Sequence, residues 1–134
     1  MPGLDTQVLF AFNPKDKHHG RAIGLLKEIQ TGKIRDVYVT DVVLLEFVVV
    51  MKSKGYSNNQ IKKALLAVQR ILVQYGIAYK KTLNTSVFID ALSFIDQGVS
   101  FFDALLAASI KSVDNIIISS DKIYEKINIA RYEF

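Results

Sequence analysis

Two acids stand alone in apolar stretches: Glu46 within Val42-Val43-Leu44-Leu45-Glu46-Phe47-Val48-Val49-Val50-Met51, and Asp103 within the apolar segment 99–108. Neither has a basic residue within four positions. An ionised carboxylate left in an interior without a partner costs several kcal/mol, of order the whole stability of a small domain. A fold that accepts these segments must therefore deliver each acid to a distant cation, a hydrogen-bond cage or a wet cleft. Two such acids with no local partner point to a metal site.

Half of the 134 residues are apolar, enough for one domain with a real core and too few for two, so 1–134 is expected to be a single domain. The longest apolar run, about ten residues around Glu46, is well short of the ~20 that a membrane-spanning helix needs. The opening Met-Pro-Gly-Leu-Asp has no signal-peptide pattern. A soluble, cytoplasmic protein with no membrane partner is the expectation. The absence of cysteine excludes disulfides, thiolate nucleophiles and thiolate metal sites, leaving oxygen or imidazole for any metal. A net charge of +4 leans toward a polyanionic partner, although the basic clusters are short. His18 and His19 are adjacent, so their rings diverge on a helix and read as a solvated helix start.

Apolar spacing predicts a helix over 16–31, started by Asp16, with Ala22, Ile23, Leu26 and Ile29 inward and Gly32 ending it. Val37–Thr40 reads as a short strand. Asp41 or Thr40 can cap a helix over 42–54; its valine density also fits a buried strand, but length, cap and Gly55 favour helix. Ser57 opens the clearest helix, with Ile61, Ala64, Leu65, Val68, Ile71, Leu72 and Tyr75 recurring before Gly76. A strand over 77–82 and a helix over 85–97 follow, the latter with Val87, Phe88, Ala91, Leu92 and Ile95 inward. Ser100 can cap the Asp103 helix, residues 115–121 carry the β-branched run of a strand covered on both faces, and 130–134 suits a last edge strand. Strands alternating with helices imply an α/β fold with a parallel sheet.

In open parallel sheets, ligand sites lie beyond the carboxyl ends of the strands. Asp5 and Asp121 each fall at such an end, with Glu46 and Asp103 on flanking helices. Taken singly, Asp5 and Asp121 are more simply turn or cap aspartates, and Glu46 can reach solvent at a helix edge. Asp41, Asp90, Asp96 and Asp114 read as caps or exposed helix faces. Lys15, Lys17 and Lys122 lie close in sequence to these acids and are candidates for gripping phosphate.

Four motifs in order carry a resemblance: Leu4-Asp5-Thr6-Gln7-Val8-Leu9, Leu44-Leu45-Glu46, the run from Ser100-Phe101-Phe102-Asp103 to Ala108, and Ile118-Ser119-Ser120-Asp121. Together they resemble PIN-domain proteins over essentially the whole chain, VapC-type toxins of toxin–antitoxin pairs in particular. The resemblance implies a three-layer α/β/α fold with a short, mainly parallel central sheet. It implies a Mg²⁺- or Mn²⁺-dependent endoribonuclease whose acidic set is Asp5, Glu46, Asp103 and Asp121. Asp5, Asp103 and Asp121 would hold metal, Glu46 would orient or deprotonate the attacking water, and Thr6 and Ser120 occupy supporting hydroxyl positions. The implied partners are an RNA substrate, a cognate antitoxin and a second copy of the chain, with the apolar helices 42–51 and 61–75 as the dimer surface.

Elementary electrostatics agrees with a metal role: unit charges ~4 Å apart repel by roughly 4 kcal/mol at an effective dielectric of ~20, so clustered carboxylates call for a neutralising cation. The chain departs from the family pattern in having Gln7 where asparagine is usual, Ile123 where a second acid often follows, and only Pro2-Gly3-Leu4 before Asp5. These departures keep open a non-catalytic PIN-like domain that binds RNA or protein. An RNA-processing nuclease with no antitoxin is the other alternative.

Overall fold

The computed structural model describes all of residues 1–134. The chain runs β1 (Gly3–Leu4), α1 (Thr6–Ala11), α2 (His19–Gln30), β2 (Tyr38–Thr40), α3 (Asp41–Ser53), α4 (Asn58–Gln74), β3 (Ala78–Lys80), α5 (Thr85–Asp96), α6 (Phe101–Lys111), β4 (Ile116–Ser119), α7 (Ile123–Lys126) and β5 (Ala130–Glu133). The five strands form one sheet in the order β3-β2-β1-β4-β5, and every pairing is parallel.

Successive residues of a strand face opposite sides, so the unbroken burial of Gly3-Leu4, Tyr38–Thr40 and Ile117–Ser119 means that both faces of the central strands are covered. This is the α/β architecture expected from the sequence. The chain leaves β1 toward β2 and β3, then crosses back over β1 to β4 and β5, so the order reverses between β1 and β4. A crevice opens beyond the carboxyl ends of the strands at such a switch point.

The two-residue β1 occupies the centre of the sheet, with Gly3 opposite both Tyr38 and Ile117. A Cβ on Gly3 would come within 2.2 Å of the Ile110 Cδ1 and 3.0 Å of the Tyr38 ring. Glycine there lets α6 and β2 close over the strand. Residues Ala104–Ile110 of α6 are all buried, which makes it a core helix rather than a surface one.

Several sequence expectations shift. The second helix starts at His19, not Asp16, because the Asp16 carboxylate takes the His18 N–H at 2.8 Å and makes a turn before it. Leu25 is buried in place of Ile23, which is exposed; both choices fit a stripe through Ala22, Leu26 and Ile29. On α5, Phe94 faces the core, whereas Phe88 and Leu92 are exposed. That helix is apolar around most of its circumference, so spacing alone leaves its face undetermined. Helices α1 and α7 were not foreseen, being too short to show a period. The valine-rich segment is helical, as its length and Gly55 favoured.

Candidate active site

Asp5 lies at the carboxyl end of β1 and caps α1. Its Oδ1 accepts the Thr6 N–H at 2.7 Å, and its Oδ2 accepts the Ser119 hydroxyl at 2.5 Å from the end of neighbouring β4. It is the one buried acid of the four, 8% exposed. Burial pushes its carboxyl up to about 7; the bonds from Ser119 and Thr6 pull the other way, and the charges of Glu46 and Asp103 add to the rise.

Glu46 sits on α3, half-buried, where its Oε1 accepts the Thr6 hydroxyl. Its pKa is raised by burial, opposed by that bond and reinforced by the charge of Asp103. Asp103 occupies the first turn of α6. Its Oδ2 accepts the Ser100 hydroxyl at 2.9 Å, and its Oδ1 faces the Tyr124 hydroxyl at 3.4 Å. Asp121 follows β4 and is exposed, its Oδ1 accepting the Ile123 N–H at 2.9 Å.

All four acids, with Thr6 and Ser120, line one open cavity of about 550 Å³, along with Gln7 and Lys54. The topology does this: β1 and β4 deliver Asp5 and Asp121 to the switch point, while α3 and α6 begin at the same edge of the sheet. A shared tie fixes the two helices. The Asp41 carboxylate, at the start of α3, accepts the Thr82 hydroxyl at 2.7 Å and the N–H groups of Thr82 and Leu83, and the Thr82 hydroxyl also meets that of Ser109 on α6 at 2.7 Å. Burial raises the Asp41 pKa, but these bonds outweigh it and the net shift is downward. Asp41 is a strut rather than the cap or exposed acid its position suggested.

Three residues around the cleft, Ser119, Tyr124 and Lys54, are given no role by the sequence, and Gln7 reads there only as a departure from the family pattern. Ser119, not Ser120, bonds Asp5, while Ser120 bonds Gln7. Gln7 anchors the loop: its Oε1 accepts the Ser120 N–H at 2.9 Å and lies 3.0 Å from the Ser119 hydroxyl oxygen. This departure from the family pattern therefore leaves Asp5 well seated. Tyr124 lies buried below the acids, and burial together with the charges of Asp5, Asp103, Glu46 and Asp121 pushes its hydroxyl up, so it remains a donor. Lys54, at the C-cap of α3 and eight residues after Glu46, brings a cation to the cleft, a spacing visible in the sequence. Of the lysines expected near phosphate, none lines this cleft.

No three of the acids form a closed ligand group as they stand. Their chemistry nevertheless fits a divalent ion: the donors are all oxygen, they line one wet cleft, and two of them resist ionisation, chiefly through burial and further through the charge of neighbouring acids. Asp5, Asp103 and Asp121 could supply oxygen ligands to a hard cation.

A short parallel sheet with an acidic cleft at its switch point defines an α/β domain built to present carboxylates to a ligand. The PIN domain family model matches residues 4–130, and the chain belongs to that family. No curated protein sequence matches it. Among solved structures it is similar to Mycobacterium tuberculosis VapC20, a sarcin-ricin loop cleaving toxin, at 17% identity and a TM-score of 0.67 over 97% of each chain. It is similar to VapBC2 from Rickettsia felis, solved bound to a promoter DNA fragment, at 13% identity and a TM-score of 0.66 over 98% of this chain and 97% of that one. FitAcB from Neisseria gonorrhoeae shares 18% identity and a TM-score of 0.66, over 98% of this chain and 96% of that one. At such identities the likeness is one of fold. No helix is long and apolar enough to cross a membrane.

Proposed function

We propose that the chain is a divalent-metal-dependent endoribonuclease, the toxin of a toxin–antitoxin pair. The observation that carries this reading is the convergence of Asp5, Glu46, Asp103 and Asp121 on one cleft of a PIN fold. Membership of a nuclease family and the fold shared with VapC20, VapBC2 and FitAcB support it.

A bound Mg²⁺ or Mn²⁺ would supply neutralising charge, acidify a water and stabilise the leaving oxygen. Asp5, Asp103 and Asp121 would hold such an ion. Glu46, oriented by Thr6 and raised in pKa, accepts a proton from the attacking water as that oxygen bonds to phosphorus. The bond to the departing ribose oxygen breaks in line, that oxygen takes a proton from solvent water, and Glu46 returns its proton to solvent, so that one water is consumed. Ser119 and Gln7 keep Asp5 and the β4 loop in place, and the protonated Tyr124 orients Asp103. A cognate antitoxin would restrain the enzyme by entering the acidic cleft, and a second copy would cover the apolar faces of α3 and α4.

The test pairs folding with activity. Mn²⁺ at a hundred times its Kd should stabilise the wild type by about 2.7 kcal/mol, and RNA should be cut only with metal present. Asp103→Asn should keep the fold and lose both effects. Cleavage that survives in this variant would remove Asp103 from the site, and cleavage in chelator would overturn the metal mechanism.

A further inference from the structure

Two of the four acids hang on Ser119. Its hydroxyl donates to the Asp5 Oδ2 at 2.5 Å and accepts the Asp121 N–H at 2.9 Å. The peptide group that joins it to Ser120 is held at both ends. The Ser120 N–H donates to the Gln7 Oε1 at 2.9 Å, and the Ser119 carbonyl accepts an N–H from the Arg131 Nη1 at 3.0 Å. Gln7 stands in α1 close to Asp5, but Arg131 comes from β5 at the edge of the sheet.

Arg131 pairs with Ile117 in the β4–β5 register, two residues short of Ser119, so its side chain runs along the sheet to reach that carbonyl. The side chain is only 8% exposed although β5 is an edge strand. Its guanidinium also pairs with Glu125 of α7 and Glu133 of β5, both exposed, and its Nε is buried with no protein acceptor. Pairs with exposed acids contribute little to stability, so they do not account for an arginine drawn out of water there. The planar fork does: one guanidinium donates to a carbonyl and to two carboxylates at once, which an ammonium cannot do in a fixed geometry. A donor on the carbonyl also strengthens the N–H of the same peptide, so Arg131 and Gln7 reinforce each other across the Ser119–Ser120 bond.

Resting on the ribonuclease reading above, we infer that Arg131 is a positioning residue for the acidic site: it fixes the plane of the Ser119–Ser120 peptide and, through Ser119, sets Asp5 and Asp121 for a divalent ion. Arg131 is not part of the cleft lining, so its effect passes through that peptide. The Thr6 N–H holds one oxygen of Asp5 and the Ser119 hydroxyl the other; with the second bond loosened, the carboxylate regains a rotation. The turn that carries Asp121 loosens with it. An ion must then order its ligands as it binds, which weakens it. Arg131 stands ten residues after Asp121, in a segment with no motif, so nothing in the sequence marks it.

The experiment measures Mn²⁺ affinity by calorimetry, and backbone amide exchange by NMR on the metal-free protein, for the wild type, Arg131→Met and Arg131→Lys. Arg131→Met keeps an apolar stem and removes every donor. It should bind Mn²⁺ about tenfold more weakly, and its Ser120 and Asp121 amides should exchange faster while that of Ile118, inside β4, keeps its wild-type rate. Arg131→Lys keeps a charge for Glu125 and Glu133 but not the fork, and should fall between the two in both measurements. It decides the question alone if Arg131→Met does not fold. Where the wild type binds Mn²⁺, unchanged affinity in the variants overturns the inference, and so does weaker binding with the two amides unchanged or with Ile118 loosened alongside them. A wild type that neither binds Mn²⁺ nor cuts RNA overturns the ribonuclease reading instead. Selective loosening of the two amides then still assigns Arg131 to this peptide, and its absence overturns both.

Discussion

Asp5 is the residue on which the site turns, and it is the acid whose sequence context was the least unusual. Glu46 and Asp103, singled out by their apolar surroundings, end half-exposed at a wet cleft, one of the three outcomes such acids allowed. Asp5 looked like a turn aspartate and is the one sealed in. Its depth comes from the pairing of β1 with β4, a contact 114 residues apart that no local pattern encodes. The consequence is a pH dependence of known sign. Below about pH 4 Asp5 is protonated in folded and unfolded chains alike. Between there and about pH 7 the unfolded chain has lost that proton and the folded chain retains it. Stability therefore falls as pH rises through this window, by on the order of 4 kcal/mol from this group, and is flat above it. Without metal, Asp5→Asn should flatten that slope and melt above the wild type at pH 8, while losing stabilisation by Mn²⁺. Thermal melts from pH 4 to 8 in chelator check this; a variant that melts lower at pH 8 would show that the hydrogen bonds to Asp5 outweigh its buried charge.

The elements themselves were largely legible, because α2, α3, α4 and α5 each run into a stop glycine, Gly32, Gly55, Gly76 and Gly98, and β2 and β4 carry β-branched residues. What stayed hidden was which face turns inward on helices apolar all round, as on α5, and how one element is braced against another. Asp41 shows the second kind of gap: its role is set by Thr82 and Leu83, some 40 residues on, and by Ser109 beyond them. Asp41→Ala leaves the two buried-side N–H groups and the Thr82 hydroxyl without their acceptor, at a cost on the order of 2 kcal/mol in urea unfolding. Because the same network joins the helices that carry Glu46 and Asp103, Mn²⁺ affinity should fall as well. Lost stability with undiminished Mn²⁺ affinity would mean that the network only holds the fold. Gly3 is bound by a similar long-range constraint. Gly3→Ala would push against Ile110 and Tyr38 in the centre of the sheet, which predicts destabilisation of about 1–3 kcal/mol, measurable in the same unfolding experiment. A neutral outcome would mean that the Ile110 side chain can rotate out of the way.

Across the whole molecule, apolar surface that the core does not consume is concentrated on one set of helices. Leu45 and Val49 on α3, Leu66 and Val73 on α4, and Phe88, Ile89 and Leu92 on α5 are all exposed. The sequence had placed Leu92 and Phe88 in the core, so part of this surface was mistaken for interior, as an all-apolar helix invites. Along α4 it opens into an apolar cavity of about 750 Å³, lined by Leu65, Leu66, Leu72, Val73 and Tyr79 at the β3 edge of the sheet. Patches of this kind on a small domain are normally covered by a partner, and one face meeting its own copy about a two-fold axis is the commonest way to cover it. The acidic cleft lies beyond the carboxyl ends of β1 and β4, so a dimer built on α4 leaves it open to RNA. Val73, 76% exposed, contributes little to the core, so Val73→Glu should keep the monomer folded while opposing two like charges across the axis. Sedimentation should give a dimer for the wild type and a monomer of unchanged melting behaviour for the variant. A wild type that sediments as a monomer at tens of micromolar would overturn the dimer, and a variant that remains dimeric would move the interface to α5.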